Sequence, residues 1–382
     1  MNSYGFGIES FYFVFLLFYT LYLAFANHAL KQHQITKRGF IVIAFMPLFI
    51  LGGFRGETVG GDLKNYLSEF EYLVHITDFK TFILEATHEP GYLIYIKLLS
   101  ILSDDSRMFL IGTSLLSLIG PFYIIYKNSR QPMLSILIYY ITGFYTNTFN
   151  NVRQSLAISI VFIAFCFLER KKIRKYFIMV LLASSFHYSA IAALLVYPIV
   201  RKEFNFKRLF ILSASGLALM GSLGYFVFSK LSALFLLKYD AETMLINSEG
   251  KGYGMFMLYT ILFVFTSYVY LRKVKRNDNT SNTMYTLVLT FIMLSMIIQL
   301  SAPFFHSMVR MTYYFFIPYM IIGLPYMINE TRGIYKIAVR FLLIFLLVFF
   351  FRNAYKESSD PDVYKSNSQA TIPYVFIDKV LF

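Results

Sequence analysis

The chain is 382 residues long, 57% hydrophobic and only 15% charged, yet it carries a net charge of +14. A soluble chain this apolar lacks the polar groups to cover its own surface, so the composition excludes a string of soluble domains and points to a lipid-solvated helical bundle. A single cysteine, Cys166, excludes a disulfide framework, a CxxC zinc site and an iron–sulfur cluster.

Apolar runs predict about ten spans, over residues 9–29, 39–54, 107–126, 133–149, 152–168, 209–228, 255–271, 284–302, 311–328 and 339–351. No cationic stretch precedes the first run, so a cleavable signal peptide is not expected. Residues 91–102 are too short to span comfortably. Residues 176–200 are long enough, but Ala183-Ser184-Ser185-Phe186-His187 breaks them in the middle. With no tryptophan, interfacial anchoring falls to the 31 tyrosines.

Charge orients this list. Six basic clusters lie at residues 31–38, 127–130, 170–175, 201–208, 272–276 and 332–340. Basic loops stay on the cytoplasmic side. Placing all six there requires residues 91–102 not to cross. It also requires residues 176–200 to enter and return on one side as a re-entrant hairpin. Such backbone is tolerated at membrane depth only where it lines a protein cavity. Those loops hold 21 of the 35 basic residues and four of the 21 acids, which leaves about −3 elsewhere. The expectation is an all-α polytopic protein of about ten spans plus a re-entrant hairpin, forming one integral membrane domain over residues 1–382. Both termini, the loops 55–106 and 229–254 and the tail 352–382 lie outside. Within 55–106, residues 63–74 and 79–86 read as amphipathic caps on the bundle.

The polar residues near the outer ends of the spans then fall on one face. They include Arg55, Asp62, Tyr66 and Glu89, Asn147, Asn150, Asn151, Arg153 and Gln154, His187 with Ser184 and Ser185, and Gln299, His306 and Arg310. Polar groups at membrane depth are expensive, and so tend to be paired or functional. Asn147, Asn151 and Gln154 share a stripe if the helix continues; alternatively Phe149-Asn150-Asn151 is a turn, with Arg153 in the first turn of the next span. Arg153 either snorkels to headgroups or meets an anion, since a cation is poorly placed at a helix N-terminus. His306 and Arg310, four apart, would share a helical face. Each histidine has a bland alternative as a hydrogen-bonded core residue. Asp62, after Gly60-Gly61, either caps a helix or faces a site. Glu89-Pro90-Gly91 reads as a turn with an exposed carboxylate. No GxxxxGK[ST], GxSxG or HExxH pattern occurs, and the basic residues fit topology better than nucleic-acid binding.

The segment Arg55-Gly-Glu-Thr-Val-Gly60-Gly61-Asp62-Leu-Lys-Asn-Tyr66 resembles the first outer-loop motif of the EpsG family, which includes Wzy-type O-antigen and capsule polymerases. Glu89-Pro-Gly91-Tyr92 looks like its next motif, and Asn151-Val-Arg153-Gln154-Ser-Leu-Ala157 is similar to its most distinctive one. A basic loop and Ala183-Ser-Ser-Phe186-His187-Tyr-Ser189-Ala190 follow, as in the family. Arg310 with Tyr313 and Tyr314 fits its late span. The resemblance runs from about Arg55 to Tyr326.

It implies a membrane glycosyltransferase of GT-C-like fold, in the bacterial cytoplasmic membrane, joining undecaprenyl-diphosphate-linked oligosaccharide repeat units at the outer face. A chain-length regulator and a flippase of the same pathway would be partners, beside membrane lipids. On this reading Arg55, Arg153 and Arg310 bind the diphosphate, because guanidinium forks match phosphate oxygens. No metal or other cofactor is then expected. Asp62 is the first choice and Glu89 the second for taking the acceptor proton, with His187 orienting the diphosphate or sharing in proton transfer. Tyr66, Asn151, Gln154 and His306 line the sugar site. Two other functions fit less well. A flippase would need a polar path through the whole membrane and usually paired repeats. A glycan ligase would share the lipid-linked donor and the arginines.

Overall fold

The computed structural model describes residues 9–56, 59–76, 88–201, 207–219, 253–275, 282–301 and 306–355. Helices carry these residues, and no strand forms among them. In chain order they are α1 (Glu9–Lys31), α2 (Lys37–Gly53), α3 (Leu63–Val74), α4 (Pro90–Leu102), α5 (Ser106–Asn128), α6 (Pro132–Ile141), α7 (Val152–Glu169), α8 (Ile173–Phe186) and α9 (Val196–Val200). Then come α10 (residues 207–219), α11 (Tyr253–Lys275), α12 (Asn282–Gln299), α13 (Tyr313–Pro318), α14 (Leu324–Glu330) and α15 (Ile334–Tyr355). A wide turn, Tyr319–Gly323, joins α13 and α14.

Among the described residues, six segments are long and apolar enough to cross a membrane: Tyr12–Lys31, Ser106–Asn128, Val152–Glu169, Tyr253–Arg272, Val309–Glu330 and Ile334–Arg352. These match six of the ten expected runs. Of the others, α2 has 17 residues and α12 has 18, Met284–Gln299 being the apolar part of α12. The run 209–228 is described only to residue 219. The run expected over 133–149 breaks after Ile141. There Thr142 Oγ1 donates to the Ile138 carbonyl (2.6 Å) and Gly143 takes φ +76°. The chain continues as a tight 3₁₀ turn, Thr146–Phe149. Residues 79–86, residues 229–252 of the loop 229–254, and the tail beyond Tyr355 lie outside the described residues.

The α7 helix runs through the middle, packed on α5 and α8. Gly120 N–H donates to Ser159 Oγ (2.7 Å), which donates in turn to the Leu116 carbonyl (2.5 Å). These bonds close the α5–α7 crossing with small polar groups, as suits helices that meet in lipid. The tyrosines do more than anchor the interface. Tyr19, Tyr145 and Tyr140 are buried and donate to the carbonyls of Ala44 (2.6 Å), Leu48 (2.7 Å) and Tyr12 (3.2 Å). A buried phenol needs an internal acceptor, and each of these bonds ties two segments distant in sequence.

Residues 176–200 fold back on themselves as a hairpin. Tyr176 Oη donates to the Ala193 carbonyl (2.5 Å), and the Phe177 and Tyr197 rings lie 5.1 Å apart. The chain therefore reverses at His187, where α8 gives way to the 3₁₀ segment Tyr188–Leu195. At 14 residues, α8 is about 21 Å long, short of a ~30 Å hydrocarbon core.

Among the described residues, basic side chains from several of the clusters meet at one end of the bundle. Lys37 Nζ donates to the Ser129 carbonyl (2.8 Å), and Arg130 pairs with Glu330 (2.7 Å). Cys166 Sγ, four residues before Arg170, contacts Asn128 Oδ1 (3.3 Å). Arg272 lies over the rings of Tyr335 (4.7 Å) and Tyr268 (5.3 Å). The opposite ends of α2, α4, α7 and α8 meet in a second polar cluster.

Candidate active site

Two close backbone contacts build the second cluster. Gly91 sits where α4 meets the end of α8: a Cβ there would lie 2.2 Å from Ser185 Oγ and 2.8 Å from its carbonyl carbon and oxygen. This approach sets Glu89, just before α4, against His187, just after α8. Likewise Gly60 has φ +126°, and a Cβ on it would meet the Phe149 carbonyl at 2.7 Å. Gly61 N–H donates to Asn150 Oδ1 (2.5 Å). The turn carrying Asp62 is thus fixed to the turn that starts α7.

Glu89 is the hub. It is buried, 4% exposed, rather than the exposed turn carboxylate that Glu-Pro-Gly suggests. Pro90 has no N–H, and the Glu89 side chain makes no cap bond to α4. Its two oxygens instead take different partners. Arg153 Nη1 donates to Oε2 (2.5 Å), while His187 Nδ1 lies 2.9 Å from Oε1. The Tyr188 N–H also points at Oε1 (3.4 Å). Burial alone would raise the Glu89 pKa. The His187 hydrogen bond and the Arg153 charge outweigh it and bring the carboxyl down to about 2.

Arg153 is the second residue of α7, as the turn reading anticipates. Its guanidinium lies 5.9 Å from the centre of the Tyr92 ring and within hydrogen-bonding range of Tyr66. Tyr66 collects the neighbouring charges. Burial raises its pKa, the charges of Arg153 and Arg310 lower it, and that of Asp62 raises it. Arg153, Arg310, Asp62 and Tyr66 therefore share one electrostatic neighbourhood with Glu89 and His187, although they come from five separate parts of the chain.

The other expected residues are placed as follows. Asp62 is exposed and makes no cap bond to α3, so the capping alternative is not what its side chain does. The stripe of Asn147, Asn151 and Gln154 is interrupted, because a 3₁₀ turn and then Asn151 precede α7. Asn151 Nδ2 still reaches Asn147 Oδ1 (2.7 Å). Gln154 Nε2 donates to the Arg310 carbonyl (2.7 Å), tying α7 to the late segment. Arg310 is exposed, in the 3₁₀ segment His306–Thr312. A 3₁₀ turn holds three residues, so His306 and Arg310 do not share a face as four-residue spacing on an α-helix would give. The His306 side chain lies outside what is described.

Arg55 stands apart. It is 1% exposed, and its guanidinium donates to the carbonyls of Gly52 and Val59 (3.3 Å to Val59) and faces the Phe149 ring at 4.5 Å. These contacts brace the turn that leads to Asp62. One pair escapes the sequence reading altogether. His88 Nε2 lies 2.9 Å from Glu69 Oε1 on α3. The available signal is spacing: Asp62, Tyr66 and Glu69 recur at four and three residues on one helical face.

A buried carboxylate clamped between an arginine and a histidine, beside a second, exposed arginine and an exposed carboxylate, suits the handling of an anionic group. The family model of the EpsG family matches residues 39–376 and so covers every residue of this site. No curated protein and no solved structure matches the chain. The chain belongs to the EpsG family, membrane proteins of the polysaccharide-polymerase type.

Proposed function

We propose that this protein polymerises lipid-linked oligosaccharide repeat units at the outer face of a bacterial cytoplasmic membrane. The growing glycan on a polyprenyl diphosphate is the donor, and a second lipid-linked unit is the acceptor. The observation that carries this reading is the Arg153–Glu89–His187 cluster at the end of the bundle opposite the basic loops.

In the reaction the bond between the anomeric carbon and the diphosphate oxygen breaks, and its electron pair leaves on the diphosphate. An acceptor hydroxyl oxygen bonds to the anomeric carbon and gives up its proton. Arg153 and Arg310 stabilise the charge that gathers on the leaving diphosphate. Glu89 holds Arg153 and His187 in place. With both oxygens engaged and its pKa near 2, Glu89 is a weak base, which favours Asp62 for the proton. His187, held by Glu89, orients the diphosphate. These steps need no metal. Arg55 supports the Asp62 turn.

Deletion of the gene, complemented with either the wild-type or the Arg153→Ala chain, tests the reading by glycan gel. The expected result is single repeat units on the surface for both the deletion and the variant, with activity down at least ~100-fold. Full-length glycan from Arg153→Ala would overturn the diphosphate assignment. Polymer stranded on its carrier lipid would identify a ligase, and units trapped inside would identify a flippase.

A further inference from the structure

His88 and Glu89 are neighbours in sequence but turn to opposite partners. Glu89 meets Arg153 and His187, while His88 meets Glu69 on α3 (2.9 Å). The Tyr92 ring stands between the two clusters, 5.8 Å from the His88 ring and 5.9 Å from the Arg153 guanidinium. The Tyr66 ring closes on it edge-to-face at 6.2 Å. The two clusters differ in chemistry. Arg153 and Arg310 offer guanidinium donors that suit phosphate oxygens. Around Glu69 a carboxylate repels phosphate oxygens and invites hydroxyl donors.

We propose that Glu69 and His88, beside the partly exposed Tyr66, form a subsite for an uncharged sugar ring of the acceptor unit. The proposal rests on the polymerase reading and adds to it where the acceptor lies. The pair is accessible, with side chains 21% and 22% exposed for Glu69 and His88. A carboxylate accepts from adjacent sugar hydroxyls, an imidazole offers one donor or acceptor, and aromatic faces cover the apolar face of a ring. Asp62 lies two helical turns, about 10 Å, from Glu69 on the same face of α3, so a sugar held at Glu69 leaves room for one further sugar toward the proposed base.

The test uses the full chain in lipid nanodiscs, with polyprenyl-diphosphate-linked repeat units isolated from cells deleted for this protein. Glu69→Gln is expected to raise the apparent KM for the acceptor units roughly tenfold or more, the worth of a hydrogen bond to a charged group. Its kcat stays within about threefold, because binding rather than the chemical step is weakened. His88→Gln is expected to do the same, and the two changes together to cost less than their product. If Glu69→Gln fails to fold, His88→Gln carries the same readout from the other side of the pair. A normal KM in the folded variants, or a fall in kcat alone, overturns the subsite and leaves the polymerase reading intact. A wild-type chain that makes no polymer from these units overturns both.

Discussion

At the residue scale, the decisive feature is the division of labour between two carboxylates. Each in isolation reads as a turn or cap residue. In the structure Glu89 is buried and doubly engaged, while Asp62 remains exposed and unclamped. Glu89 has a pKa of about 2 against an ordinary 4.5, so its folded-state value lies below its unfolded one. Its contribution to stability is therefore complete above about pH 4.5 and is lost as the pH falls toward 2. Glu89→Gln leaves Arg153 with a neutral partner and is expected to cost about 3 kcal/mol at neutral pH. In detergent, the gap in melting temperature between wild type and Glu89→Gln should stay constant down to about pH 4.5 and narrow below it. A gap that instead widens on acidification would contradict the clamped carboxylate.

At the scale of elements, the site depends on helices that are too short to span and are held by backbone contact. The α4 helix and the α8 hairpin arm meet at Gly91 and Ser185 with no room for a Cβ. Gly91→Ala must push α4 and α8 apart, at an overpacking cost of ~1–3 kcal/mol, and so pull Glu89 from His187. The expected outcome is a protein that still folds but has lost most of its polymerising activity. Adding Ser185→Ala removes the nearest atom, Oγ, but not the Ser185 carbonyl group at 2.8 Å, so rescue should be partial. Full activity in Gly91→Ala alone would show that the α4–α8 register does not set the site. The hairpin over residues 176–200 and the Phe149-Asn150-Asn151 turn were legible in the sequence, because charge on both flanks and an interrupted apolar run leave few topologies. The break after Ile141 was not legible. Residues 133–149 carry no charged residue, and Thr142 bonding its own helix and Gly143 at positive φ end α6.

At the scale of the molecule, the two ends of the bundle are chemically distinct. Basic residues collect at one end through pairs such as Lys37 with Ser129 and Arg130 with Glu330, and the candidate site lies at the other. Labelling tests the orientation. Cys166 is buried and is the chain's one cysteine, so Cys166→Ala gives a thiol-free background. In it, Lys64→Cys, near the site, should react with a membrane-impermeant maleimide added to intact cells. Arg332→Cys, at the basic end, should react only after permeabilisation. Both positions are exposed, so a silent Lys64→Cys together with a labelled Arg332→Cys would invert the proposed orientation.

By itself the sequence determined the class of the molecule and gave an expectation of its orientation. Burial in lipid demands long apolar runs, and the transfer of charge across a membrane is costly, so both properties are written in composition and in the order of basic loops. Motif spacing also brought Glu89, Arg153 and His187 into consideration. Only the tertiary structure decided what each polar residue does there. The roles of Glu89 as hub, of Arg55 as a brace on carbonyls and of Glu69 with His88 as a separate pair depend on which side chains face one another across helices. That pairing is fixed by backbone approach at glycines 60 and 91, which no local pattern of residues specifies.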